Sequence, residues 1–211
     1  MKIITISREF GSGGRELGKR LADILNFDYY DREIIVTIAE TEGLNENYVE
    51  TVLDNQVWKS VPITFRNSFT IPTVMNNTQT KLLLEQRKVI EGIAKSGKDC
   101  IIVGRNADVI LKDYHPFSIF VCADMEAKIN RCLERADKNE KLSRKQIEQN
   151  IKRIDKNRIS TREIICDLKW GDPKNYDLTI NTTDWDIKDL TLAVSEFVMR
   201  WFGGRHDNTL I

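Results

Sequence analysis

The chain has 211 residues, enough for one domain with insertions and a substantial buried core. Hydrophobic residues make up 41% and charged residues 30%, a balance that excludes a disordered chain. No apolar run approaches the ~20 residues of a membrane span, and the N-terminus enters a strand-like run without a signal-peptide core. The 32 basic residues match 32 acidic ones, which argues against a dedicated nucleic-acid binder. Cys100, Cys122, Cys132 and Cys166 show no CxxC spacing, so reduced thiols in a cytoplasmic protein are expected rather than a disulfide framework or a zinc site.

In chain order, residues 2–6 read as a fully buried strand. Behind the cluster Gly11-Ser12-Gly13-Gly14, the residues Leu17, Leu21, Ile24 and Leu25 recur at helical spacing, predicting a helix from Gly13 or Gly14 to Leu25. Residues 26–30 form a short link or second strand, and helical patterns follow at 31–42 and 46–54, with Asn45 as N-cap of the latter. Residues 56–77 hold two prolines and many Asn and Thr, and read as a long irregular segment. A helix is expected over Gln79–Ser96, buried through Leu82, Leu83, Val89, Ile90 and Ile93 and closed by Gly97.

Strands follow at Cys100–Val103 and Phe117–Val121, with Asp124 capping the next helix. Ser143 and Gln146 have capping-box spacing and open a helix to Arg162. A last strand is expected at Tyr176–Ile180. A final helix then buries Ile187, Leu190, Val194, Phe197, Val198 and Trp201, and residues 203–211 read as a frayed, flexible tail. Strands alternating with helices, each strand a near-continuous apolar run, predict an α/β domain: a parallel sheet of about five strands covered on both faces. Ligands in such folds bind beyond the carboxyl ends of the strands. Ser7–Arg15 and Gly104–Asn106 both lie there and should converge on one crevice.

Strand, glycine-rich turn and helix are the geometry that presents backbone N–H groups to a phosphate. The GxxxxGK part of the standard phosphate loop, GxxxxGK[ST], is matched by Gly13 to Gly18-Lys19, but that places Lys19 well inside the helix and off its apolar face. Aligned by the strand end, Gly14 occupies the lysine position, and Arg15, one residue on, becomes the candidate cation, with Glu16 beside it. Glycines needed only for tight packing are the bland alternative. Gly104-Arg105-Asn106 offers a guanidinium for bidentate phosphate binding, although Asn106 also suits a helix cap. Asp31, Arg32 and Glu33 either open an acceptor-binding region or start a helix with Asp31 as N-cap. The helix at 143–162 carries Lys152, Arg153, Lys156, Arg158 and Arg162 away from its apolar face, a pattern that also fits a solvated surface.

The run from Ile4 to Gly18 resembles the opening of the cytidylate kinase-like family, a branch of the P-loop nucleoside monophosphate kinases in which the standard lysine is replaced. The likeness continues in order through Ile102–Arg105, Asp155–Arg158, Trp170–Asp172 and Asn175–Leu178. Thr161–Leu168 departs from the family's Tyr-Tyr-rich run, and Asn106 stands where those kinases carry aspartate.

The resemblance implies a single P-loop kinase domain over 1–211, with an acceptor-binding insertion at about 31–80 and a helical lid at about 137–172. It implies phosphoryl transfer from ATP, accompanied by Mg²⁺, to a nucleoside monophosphate, with CMP or dCMP leading. Gly11, Ser12, Gly13, Gly14, Arg15 and Glu16 would hold the ATP phosphates, and Arg105, Asn106, Asp31 and Arg32 the acceptor. Arg153, Arg158 and Lys156, with Arg15, would stabilise the moving phosphoryl group, while Asp155 would orient an arginine. The metal ligand is unknown; Glu16 either binds metal or complements the helix dipole. Two rivals remain open: a degenerate loop that binds nucleotide without turnover, and a kinase of another small metabolite.

Overall fold

The computed structural model describes residues 1–47, 49, 73–136 and 143–207. Five strands, β1 (Ile3–Arg8), β2 (Asp28–Tyr30), β3 (Cys100–Val103), β4 (Phe117–Cys122) and β5 (Leu178–Asn181), form one parallel sheet in the order β2-β3-β1-β4-β5. The order reverses around β1, with β3 on one side and β4 on the other, so β1 ends at the switch point where α/β sheets bind ligands. Residues 3–7 of β1 are all buried, as a strand flanked and covered on every side requires.

The period-2 alternation of β1 builds two cores. Ile4 and Ile6 join Leu17 and Leu21 of α1 (Gly14–Leu25) and Ile187, Leu190, Val194 and Val198 of the C-terminal helix on one face. Ile3 joins Ile34, Ile35 and Ile38 of α2 (Glu33–Glu42) and Leu82 and Ile90 of α3 (Thr73–Lys95) on the other. The short α4 (Ala107–Ile110) adds Ala107 to that second core. Beyond the sheet, α5 (Met125–Arg135) and α6 (Arg144–Ile165) pack through Ile129, Ile147 and Ile151, with Phe10 against them. The last helix is α7 (Ile187–Asp207). The expected three-layer parallel architecture is therefore present. No helix among the described residues is long and apolar enough to cross a membrane.

Several boundaries differ from expectation. Helix α3 starts at Thr73, so residues 73–77 are helical and not irregular; Thr and Asn cost only tenths of a kcal/mol each in a helix interior, roughly 0.7 at most. The remaining expectation for 56–72, and most of 46–54, lies outside the described residues, although Asn45 does cap Asn47 N–H at 3.0 Å. Helix α7 runs on to Asp207, against the tail expected from 203, because neither Gly203 nor Gly204 takes a positive φ. Phe197 is 49% exposed, not core, though its ring still lies 6.0 Å from Phe117. β5 begins at Leu178; Tyr176 instead ends a short 3₁₀ turn at Pro173–Asn175. Asp124 sits at the N-cap of α5 without a side-chain cap bond. The Ser143–Gln146 capping box is fully formed, and its helix extends past Arg162 to Ile165.

Helix α1 approaches the sheet at Gly18, where a β-carbon would fall 2.8 Å from Val103 Cγ2 and 3.1 Å from Ile6 Cδ1. We expect Gly18→Ala to destabilise the fold by about 1–3 kcal/mol through overpacking. Gly92→Ala, on an α3 site with nothing within 4 Å, should stabilise by up to ~1 kcal/mol. Denaturant melts of the two variants check the pair, and an unchanged midpoint for Gly18→Ala would contradict the close approach.

Candidate functional site

Beyond Arg8 the chain turns through Glu9–Gly13, with Gly11 at φ 78° and Gly13 at φ 84°, and enters α1 at Gly14. These left-handed angles favour glycine, and space does too. A β-carbon on Gly13 would meet Ile187 Cδ1 at 2.6 Å, and one on Gly14 would meet Arg8 Cβ at 2.5 Å. Packing thus accounts for part of the glycine cluster, and the same turn leaves the first N–H groups of α1 facing outward for an anion. Ser12 is fully buried and its hydroxyl donates to Glu9 O at 2.8 Å, so it shapes the turn with its side chain turned inward. Thr182 Oγ1 donates to Ser12 O at 2.7 Å and fixes the loop from the β5 side.

Two arginines flank the turn. Arg15 reaches Asp31 Oδ2 through Nε at 2.5 Å, and Arg8 Nη2 lies 3.5 Å from Asp31 Oδ1. Asp31 is 6% exposed. It is not the N-cap of α2, a position held by Arg32 in a helical conformation. Its carboxylate faces the phosphate loop because two guanidiniums there outbid a single helix end. Arg8 lies flat against the next turn, where a β-carbon on Gly104 would come within 1.7 Å of its Nη1. The two glycine-containing strand ends therefore converge, as their positions in the sequence implied.

That second turn is strained. Gly104, Arg105 and Asn106 take successive φ values of 78°, 57° and 54°. Left-handed backbone at a residue as bulky as arginine costs on the order of 1–3 kcal/mol and persists only where the surroundings enforce it. Gln86, buried at 2% exposure, donates to Arg105 O at 3.0 Å and supplies one such constraint. Asn106 occupies the N-cap of α4, as the cap reading expected, and its carbonyl accepts the Val109 and Ile110 N–H groups at 3.0 Å, but its side chain makes no cap bond.

Helix α6 closes the site from the opposite side. Asp155 Oδ1 accepts the Phe10 N–H at 2.7 Å and Arg158 Nη1 at 3.2 Å, so it orients an arginine and also ties the helix to the loop. Arg158 Nη1 donates to Arg8 O at 2.8 Å, with its guanidinium carbon 5.9 Å from the Phe10 ring centre. Beneath them the buried Lys128 holds Glu9 Oε2 at 2.9 Å and approaches Asp155 Oδ2 at 3.9 Å. Burial pushes the Asp155 carboxyl above its usual range, while Phe10 N–H, Arg158 and Lys128 act against that shift.

The cleft between loop and α6 has a volume of about 430 Å³. Arg8, Arg15, Arg131, Arg135, Arg153 and Arg158 line it, and among the described residues Glu9 is the one acid in its wall. The guanidinium of Arg8 is pushed down to about 9, first by burial and next by Arg158. Asp31 opposes that shift, while Arg105 and Arg15 add to it. It remains charged at neutral pH, in a place short of negative charge. The lining of the cleft is therefore strongly positive.

Of the residues expected to act, Gly11, Gly13, Gly14, Arg15, Arg153 and Arg158 line the cleft, and Arg105 acts on Arg8 from the adjoining turn. Lys156 is on the exposed side of α6 and Arg32 is exposed beside Glu46 at 3.3 Å, so neither lines it. Glu16 is held by Arg20 at 2.8 Å and by Arg135. Arg8, Glu9, Phe10, Lys128, Arg131 and Arg135 were not singled out as candidates. The i, i+4 spacing of Arg131 and Arg135 on an amphipathic helix was the available signal. The carboxylates Glu9, Asp31, Asp155 and Glu16 are each engaged by cationic side chains. Among the described residues no cluster of three metal-type ligands occurs.

The model of the cytidylate kinase-like family matches residues 3–184. The chain belongs to this family. Residues 3–184 include the glycine loop, the strained Gly104–Asn106 turn and all of α6. Among solved structures, an uncharacterized protein from Eubacterium ventriosum is 26% identical over 94% of this chain and 98% of its own, with a TM-score of 0.66. The shikimate kinase of Bacteroides thetaiotaomicron (14% identity, 94% and 98% coverage, TM-score 0.55) shares the fold. So does that of Acinetobacter baumannii in complex with shikimate (16%, 95% and 94%, 0.51). No curated protein matches the chain. Family and fold together are those of the P-loop kinases.

Pyrophosphate should raise the melting temperature of the wild-type protein, and added salt should weaken the effect. Arg8→Met should lose most of that rise while retaining a cooperative melt; an undiminished rise would remove Arg8 from the anion site. The raised Asp155 carboxyl sets a sign for pH. The folded state holds its proton to higher pH than the unfolded chain, so its contribution to stability falls as pH rises through the carboxylate range. The stability of Asp155→Asn relative to wild type should therefore improve between about pH 4 and pH 7, as denaturant melts at both values would read.

Proposed function

We propose that this chain transfers the γ-phosphoryl group of ATP to a nucleoside monophosphate, with CMP or dCMP as the leading acceptor. The observation that carries this reading is the gathering of Arg15, Arg105 and Arg158 around Arg8 at the end of β1, with Asp31 paired to Arg8 and Arg15, on the chain of a family named for such chemistry. Phosphoryl transfer asks little covalent chemistry of a protein and depends on positioning and charge neutralisation.

In this reading the outward N–H groups at Gly13–Arg15 cradle the donor phosphates, and Arg15 supplies the charge that the missing lysine would have given. Arg15 leaves Asp31 to do so, and Asp31 retains Arg8 as its partner. Arg105, presented by its strained turn, grips the acceptor phosphate, with the Asn106 amide beside it as donor and acceptor. Arg153 and Arg158 face the cleft from α6 and stabilise charge on the equatorial oxygens in transit. Asp155 holds Arg158 in place. ATP would bring Mg²⁺ on its phosphates, where the metal neutralises charge and keeps several waters. The roles of Ser12 and Glu16 are indirect here: the first shapes the turn, and the second aligns Arg135. Lys156 and Arg32, which do not line the cleft, are given no role in this reading.

Purified protein incubated with Mg-ATP and a panel of nucleoside monophosphates should release ADP, fastest with CMP or dCMP. Arg15→Ala should lower kcat/KM by at least about 10²-fold with the fold intact, in line with the loss of a phosphate-directed cation. ATP binding without ADP from any acceptor would overturn the kinase reading in favour of a nucleotide-binding module. ADP with a non-nucleotide acceptor alone would move the substrate class and leave the chemistry in place.

A further inference from the structure

Among the described residues Arg162 is the largest fully buried side chain, at 1% exposure, and it lies at the end of α6 outside the cleft. Its Nη1 donates to Asp108 Oδ2 at 2.6 Å, its Nε to Leu168 O at 3.4 Å, and its guanidinium carbon lies 5.8 Å from the Tyr176 ring centre. Asp108 is 6% exposed at the side chain and belongs to α4. The contact is end-on, a single bond in place of the bidentate fork that arginine and carboxylate can form. Arg162 Nη2 and Asp108 Oδ1 are left without hydrogen-bond partners among the described residues.

This is a poor device for stability alone. A buried ion pair loses much of its Coulombic gain to desolvation, and well-packed apolar residues often serve the fold as well. Orphaned polar atoms on both partners deepen that cost. What the pair does have is location. Arg162 follows Arg158 by four residues, one helical turn along the same face of α6. Asp108 follows Asn106 by two residues and Arg105 by three, at the start of the helix that the strained turn leads into. Tyr176 packs against the Arg162 guanidinium, and its hydroxyl accepts the Gly171 N–H at 3.5 Å.

We propose that Arg162 and Asp108 are positioning residues: their buried pair locks the base of α6 to α4, so that Arg158 and the Arg105 turn move as one unit. The link rests on the phosphoryl-transfer reading for what it positions. It couples the arginine that follows the moving group to the arginine that holds the acceptor. Two phosphates must be brought in line to react, and misplacement of one by about 1 Å costs on the order of 10²-fold in rate.

Three variants test the link: Asp108→Asn, which keeps an acceptor oxygen for Arg162, Arg162→Met, and the double change Arg162→Met/Asp108→Leu, which restores apolar packing. The double variant should melt near the wild-type temperature. Its amide hydrogen exchange should nonetheless speed up at both 104–107 and 153–158, and its kcat should fall between about 10- and 100-fold while KM for ATP stays within about twofold. Asp108→Asn should recover most of the lost kcat. A folded double variant with wild-type exchange and wild-type kinetics would overturn the proposal, as would faster exchange in only one of the two segments. If the double variant and Arg162→Met fail to fold, exchange in Asp108→Asn decides: a small rise in both segments supports the link, and no change in either overturns it. Exchange needs no substrate, so a wild-type protein that makes no ADP defeats the kinase reading without settling this one.

Discussion

The site depends on one carboxylate among several guanidiniums. Asp31 sits between Arg8 and Arg15, and without it Arg8 would be a buried cation facing Arg15, Arg105 and Arg158. Burying unpaired charge is costly, and like charges at close range raise the cost further. Asp31 offsets part of this in the protein alone, and an anion in the cleft completes the neutralisation. The same balance explains how the loop manages without a lysine. Its nearest cation, Arg15, is two-thirds exposed at the side chain and can trade a carboxylate for a phosphate, whereas Arg8 stays pinned against Gly104.

Around this charge cluster the architecture is a set of short tethers between distant segments. Asp155 and Arg158 reach back to the backbone of Phe10 and Arg8, across about 150 residues of chain. Lys128 joins Glu9 and Asp155 from below, and Glu16 joins Arg135 from above. Each tether ends on the loop after β1 or on the first turn of α1. The loop is therefore held by its neighbours more than by its own sequence, and α6 cannot shift without disturbing the phosphate-facing backbone. Such coupling suits chemistry in which alignment carries most of the rate.

Much of the fold was legible because its signals are local. Continuous apolar runs at Ile3–Ile6, Cys100–Val103 and Phe117–Val121 mark buried parallel strands, and the Ser143–Gln146 box marks a helix start. Misreadings fell where local composition and packing disagreed. Thr and Asn at 73–77 resemble a loop, yet the helix continues because its penalty there is small. Gly203 and Gly204 look like a stop, yet their backbone stays helical. Asp31 reads equally as a cap or a ligand-side carboxylate, since nothing local reveals that Arg8 and Arg15 lie beside it.

The amino-acid order alone determined the alternation of strands and helices, the phosphate-loop turn with its absent lysine, and the family. Those follow from periodicity, glycine placement and motifs read along the chain. Tertiary structure alone decided which charges meet. Lys156 and Arg153 are indistinguishable by composition, yet the rotation of α6 puts Arg153 in the cleft and Lys156 in solvent. Arg8 became the centre of the site, and Arg162 its buried outlier, through contacts made across the sheet. Charge acts through space on every neighbour at once, and a linear sequence records only neighbours along the chain.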